Sequence, residues 1–140
     1  METWQIILQS VFVGAPFLVA HFAVSILMFL LGVWLYILFT PMDEFKLIKE
    51  GNIAASISLS GACLGISIPI ASCLASSINL IDILIWSSIA LIIQLFCFKL
   101  VDIILKDLPT RIKDGEISVA ILLLAFKSTI GIINGAAIYG

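Results

Sequence analysis

Charge is what this chain has least of. Asp, Glu, Lys and Arg make up 11% of its residues, while 62% are hydrophobic. A soluble domain carries about twice that charged share, so a water-soluble globule is excluded and lipid is the expected solvent for most of the 140 residues. The net charge of −2 gives no basis for a nucleic-acid or acidic partner. Cysteine is scarce as well. Cys63, Cys73 and Cys97 lie inside apolar segments with no CxxC or Cys/His spacing, so they read as small packing residues; no metal or disulfide is expected. There is no Gly-rich phosphate loop, no HExxH, no Ser or Cys beside a base, and no pair of membrane acids for intramembrane hydrolysis. An enzyme is therefore not expected, nor is a cofactor. The first ten residues, METWQIILQS, lack a basic n-region, and the apolar run after them is too long for a signal-peptide core, so it reads as retained structure.

What is present is four long apolar runs. No Asp, Glu, Lys or Arg occurs between Glu2 and Asp43, which exceeds the ~20 residues needed to cross a bilayer. Gly14-Ala15-Pro16 divides this run into a short interfacial segment, with Trp4 at headgroup depth, and a first spanning helix from Pro16 to Thr40. In the loop that follows, Thr40 and Asp43 have capping-box spacing, Pro41 suits a first helical turn, and a short surface helix ends at Gly51. Phe45, Leu47 and Ile48 of that helix face the interface. A second spanning helix covers Asn52–Ser77. The short connection to a third, Asp82–Leu105, makes these two antiparallel neighbours. Lys99 and Asp102 have the spacing to pair near its end. The loop 106–116 leads to a fourth helix, Ile117–Tyr139. The expected fold is an all-α integral membrane protein, a single transmembrane domain over residues 1–140.

The loops after the first and third helices hold Lys46, Lys49, Lys106, Arg111 and Lys113, while the middle loop and both termini hold no Lys or Arg. The positive-inside rule then puts loops 41–51 and 106–116 in the cytoplasm, with both termini and loop 78–82 outside. The two charged loops also resemble each other: Ile48–Ile53 reads IKEGNI and Ile112–Ile117 reads IKDGEI. This predicts two tandem, duplicated helical hairpins of the same orientation, about 1–78 and 79–140.

Polar residues inside the helices supply the candidate sites. At about 100° per residue, Ala54, Ser58, Gly61, Gly65, Pro69, Ser72 and Ser76 share one face of the second helix. Nothing on it is larger than proline, and close backbone contact is what holds helices together in lipid. The same face can be read as a serine-lined polar path, with the carbonyl freed by Pro69 as a ligand. Gly14, His21, Ser25 and Gly32 form a stripe on the first helix. Ser87, Ala90 and Gln94 lie together on the third, and Ala120, Lys127, Gly131 and Asn134 on the fourth. Gln94 and Lys127 each fall ~15 Å from the loop end. A mid-membrane ammonium costs about 2.5–3.5 kcal/mol. No Asp or Glu is expected at that depth, so Lys127 either takes a Gln94 carbonyl and helix-two hydroxyls as partners, where it could attract an anion or carry a proton, or snorkels on its four-carbon stem. His21 reads as a packing residue rather than a proton relay.

Thr40-Pro41, Glu44, Leu47-Ile48, Asn52, Ala54-Ala55, Gly61, Leu64-Gly65, Pro69 and Ser72 form a pattern that continues in Trp86, Ile89-Ala90-Leu91, Gln94-Leu95 and Gly131–Ala137. Across nearly the whole chain this resembles the bacterial family called domain of unknown function 350. The resemblance implies a small multi-pass inner-membrane protein whose activity is not established. It directs attention to Glu44, Asn52, Gly61, Gly65, Pro69, Gln94 and Asn134; Lys127 departs from the family pattern. Lipid is the first expected partner, with a homo-oligomer and a membrane or cytoplasmic protein partner beside it. Two functions fit: a scaffold or accessory subunit, and a small oligomeric channel or transporter.

Overall fold

The computed structural model describes residues 2–140, which form six helices and, among the described residues, no strand. Four helices are long and apolar enough to cross a membrane: α1 (Glu2–Phe39), α3 (Ile53–Ser76), α4 (Leu80–Ile104) and α6 (Ile117–Tyr139). Two six-residue helices, α2 (Glu44–Lys49) and α5 (Leu108–Lys113), lie in the charged loops.

α1 is continuous, which corrects the expected division at Gly14–Pro16. Pro16 removes one N–H, the one that would bond the Phe12 carbonyl. In lipid a break would leave several backbone groups unsatisfied, so losing one bond is the cheaper outcome. At ~1.5 Å per residue a 38-residue helix is about 57 Å long, well beyond the ~30 Å hydrocarbon core. Its first turns, Trp4 included, are exposed in the single chain.

The start of α2 also differs from expectation. Asp43 is its N-cap, accepting from the Lys46 N–H at 3.0 Å. Thr40 instead donates to the Tyr36 carbonyl at 2.8 Å, closing the end of α1, and Pro41 lies in the bend outside the helix. A hydroxyl beside a free helix-end carbonyl has a partner one turn back, and that bond wins over a cap. α5 was not foreseen. Its charges and Pro109 read as a loop, but proline is tolerated in a first helical turn.

α2 and α5 end alike. Gly51 (φ 87°) and Gly115 (φ 80°) adopt the left-handed conformation open to glycine. The Gly51 and Gly115 N–H groups bond the carbonyls of Ile48 and Ile112, each at 3.0 Å. Asn52 and Glu116 follow, bonding the carbonyls of Leu47 and Arg111 at 2.9 and 3.0 Å. Arg111 and Glu116 form the ion pair found among the described residues. That bond holds the exposed Glu116 carboxyl below its ordinary range. Lys99 and Asp102 do not form the expected pair.

α3 is the central helix, contacted by α1, α4 and α6 along its length and by α2 and α5 at its loop end. α4 is its antiparallel neighbour, but its closest partner is α6. A Cβ on Gly61 would lie 2.7 Å from Leu124 Cα. One on Gly65 would lie 2.5 Å from the Lys127 carbonyl oxygen, and one on Gly131 2.6 Å from the Gly65 oxygen. Backbone therefore meets backbone at the crossing, which only Gly permits. The carbonyl freed by Pro69 is that of Gly65, so it faces Gly131 rather than a polar path. Ala54, Ser58, Gly61, Gly65 and Pro69 are buried, Ser72 is half-buried, and Ser76 is exposed.

Candidate functional site: a buried lysine bridged to a carboxylate

Lys127 enters the bundle from α6. A helical Cβ tilts toward the helix N-terminus, and the N-terminus of α6 lies at the loop end, beside α2 and α5. Its four-carbon stem therefore leans toward α2. The ammonium donates to Tyr36 Oη of α1 at 2.7 Å and to Ser58 Oγ of α3 at 3.3 Å. Both hydroxyls pass their own protons on to one oxygen, Glu44 Oε1 of α2, at 3.0 and 2.9 Å. Two parallel hydroxyl bridges thus join ammonium to carboxylate. Glu44 and Lys127 are each only 2% exposed. The ring of Tyr36 lies 4.7 Å from the ammonium and that of Phe98, on α4, 5.7 Å, within the ~6 Å reach of cation–π attraction. Every spanning helix and α2 contribute one group.

Magnitudes explain why the lysine is tolerated. Two hydrogen bonds to a charged group are worth about 1.5–3 kcal/mol each, enough to offset an insertion cost of about 2.5–3.5 kcal/mol. Burial pushes the Glu44 carboxyl above its ordinary range, while the Lys127 charge and the donors Ser58 and Tyr36 pull it back down. Glu44 Oε2 has no hydrogen-bond partner among the described residues.

A second polar group lies deeper. Gln94 donates through Nε2 to the Lys127 carbonyl at 3.3 Å, and its Oε1 accepts from Asn134 Nδ2 at 3.1 Å. Asn134 also donates to the Ala90 carbonyl at 3.0 Å. Gln94 thus serves the Lys127 backbone and not its ammonium, correcting the expected pairing. Its own carbonyl oxygen is taken by Asn134, on α6 itself.

Asn52 belongs to a different structure, a clasp between the two loops. Its Oδ1 caps α3 by accepting from the Ala55 N–H, and its Nδ2 donates to the carbonyls of Ile112 and Lys113 at 2.9 and 3.1 Å. His21 stands apart from the lysine. It is buried on α1, bonds the Phe17 carbonyl at 2.8 Å through Nδ1 and lies against the Phe17 ring, with Nε2 unpartnered among the described residues. Of the residues singled out from sequence, Glu44, Ser58 and Lys127 come together, Gln94 and Asn134 come together beneath them, and Asn52 and His21 join neither set.

The sequence reading missed Tyr36 and Phe98, and it placed no carboxylate within reach of Lys127. A signal for Tyr36 was there: the stripe of Ser25 and Gly32 on α1 continues four residues on to it. No cluster of His, Cys, Asp or Glu suited to a metal occurs among the described residues.

Four apolar helices around buried, mutually bonded polar side chains define a multi-pass helical membrane protein. The chain belongs to the family described as Domain of Unknown Function (DUF350), whose profile matches residues 7–138. It is similar to the UPF0719 inner membrane protein YjfL of Escherichia coli strain K12, 32% identical over 117 residues, 84% of this chain and 89% of the relative. The protein of the same name from Escherichia coli O157:H7 matches equally. No solved structure matches the chain.

Proposed function

We propose that this chain is a non-enzymatic scaffold or accessory subunit of the inner membrane, acting through self-association and through partners at its charged loops. The observation that carries this reading is the filled centre. Gln94 is wholly buried, and the space around it is taken by Phe98, Asn134 and the backbones of α3 and α6. A path for solute would need room there. The inner-membrane relative supports the compartment. The test is reconstitution of the purified protein into liposomes. The expected result is an assembly larger than a monomer that passes ions and small solutes no faster than protein-free vesicles.

A second reading, a small oligomeric channel or transporter, draws on one observation. The hydrogen-bond chain from Lys127 through Tyr36 or Ser58 to Glu44 ends on an unpartnered carboxylate oxygen, as a proton route would. A proton flux in the same liposomes that Lys127→Met abolishes, with folding intact, would put this reading ahead.

The two tandem hairpins, about 1–78 and 79–140, derive from a duplication and share one orientation; the matched turns at Gly51 and Gly115 support this. Both charged loops face the cytoplasm, with the termini and loop 78–82 outside. With the native cysteines removed, single cysteines at positions 46 and 111 are expected to react with an impermeant reagent only in inverted vesicles. Reaction in intact cells would reverse the orientation.

A further inference from the structure

The strongest feature outside the buried cluster is a groove on the membrane-facing side between α1 and α4. It has a volume of about 600 Å³, within the ~300–1,000 Å³ range of ligand sites. Its walls are apolar: Leu35 and Phe39 on one side, Ile92 and Phe96 on the other. At its loop end it runs into a narrow polar crevice that shares Phe39, Leu95 and Lys99 with it and adds Thr40 and Asp102. From Ile92 to Lys99 the groove follows α4 for about 10 Å.

The two ends differ in chemistry, and so must an occupant. The apolar walls suit a hydrocarbon chain. The mouth offers one cation, Lys99, and one anion, Asp102. These sit three residues apart on the same helix, where opposite charges ordinarily meet, yet they make no ion pair with each other. Each is thus left with a charge to satisfy at the depth where headgroups begin. A headgroup with one negative and one positive group matches both; a purely anionic headgroup would satisfy Lys99 and be repelled by Asp102.

We propose that this groove is a binding site for a phosphatidylethanolamine molecule, its phosphate on Lys99, its ammonium on Asp102 and one acyl chain between α1 and α4. Lys99 and the groove residues Ile92 and Phe96 are exposed in the single chain, so substitutions there do not disturb its core. The groove itself shares no residue with the Lys127 cluster, but the crevice at its mouth backs onto it, because Tyr36 and Phe98 line both.

The experiment is native mass spectrometry of the protein released from vesicles of equal phosphatidylethanolamine and phosphatidylglycerol content. Wild type is expected to retain one phosphatidylethanolamine per chain. Lys99→Gln should lower that retention about tenfold. Asp102→Asn should lower it and raise the share of phosphatidylglycerol. Ile92→Trp fills the groove and should remove the bound lipid while both charges remain; Ile121→Trp, on the exposed face of α6, should change nothing. Preferential retention of phosphatidylglycerol by wild type would overturn the assignment. So would equal retention of the two lipids that Lys99→Gln and Ile92→Trp leave unchanged, the mark of nonspecific annular contact.

Discussion

Lys127→Met is expected to destabilise the bundle by about 3–5 kcal/mol, the usual cost of removing one partner of a buried ion pair. The variant keeps the volume of the stem but leaves Glu44 buried with two hydroxyl donors and no compensating charge. Glu44→Gln strands the ammonium instead and should cost a similar amount. The double variant carries no buried charge from this pair and should be more stable than either single variant, because burying two ions costs nearly as much as their pairing returns. Melting of the four proteins in one detergent forms a double-mutant cycle, which isolates the coupling across the hydroxyl bridge. Simple additivity of the two single effects would show that the bridge carries no coupling and that Lys127 and Glu44 are buried independently of each other. Tyr36→Phe removes one of the two bridges, so a smaller loss, about 1–3 kcal/mol, is expected.

The second large effect is expected at the α3–α6 crossing. A Cβ on Gly131 would lie 2.6 Å from the Gly65 carbonyl oxygen and 2.7 Å from its Cα. These are backbone atoms and cannot rotate aside, so Gly131→Ala must push the two helices apart. Overpacking costs about 1–3 kcal/mol where side chains can adjust, and a backbone clash belongs at the top of that range. Gly14→Ala is the comparison: its Cβ would meet nothing within 4 Å. Alanine should there be neutral or stabilising by up to about 1 kcal/mol. Melting midpoints that fall equally for both variants, or for neither, would contradict a crossing held by glycine.

Burial also changes how the two polar sets are read. The Lys127–Tyr36–Ser58–Glu44 cluster ties the loop helix α2 to the spanning helices α1, α3 and α6, so α2 is held by a charge and not by apolar packing alone. Gln94 and Asn134 tie α4 to α6 by bonding side chain to side chain and side chain to backbone. In lipid, where apolar surface gains little from contact with other apolar surface, such bonds are a main source of order.

How much was legible beforehand depends on whether the signal is local. The spans of α3, α4 and α6, the Gly51 turn and the small face of α3 all follow from composition and spacing along a single helix. A chain with this little charge has to satisfy its backbone within helices, so those features come from the sequence itself. The continuity of α1 was misread because a proline signals a break in water, where solvent rescues the freed carbonyl, and lipid provides no such rescue. The partners of Lys127 were hidden for another reason. Its two hydroxyls lie 91 and 69 residues away in the chain, and the carboxylate reaches it from a loop helix that depth counting assigns to the surface. Glu44 lies eight residues after Tyr36 and fourteen before Ser58, with no shared helical period because each is on a different helix, and Lys127 is remote from all three. Only the packing of α3 against α6 and the folding of α2 under the bundle bring them to one point, because an ammonium and a carboxylate that cannot both stay in water must find each other across the fold.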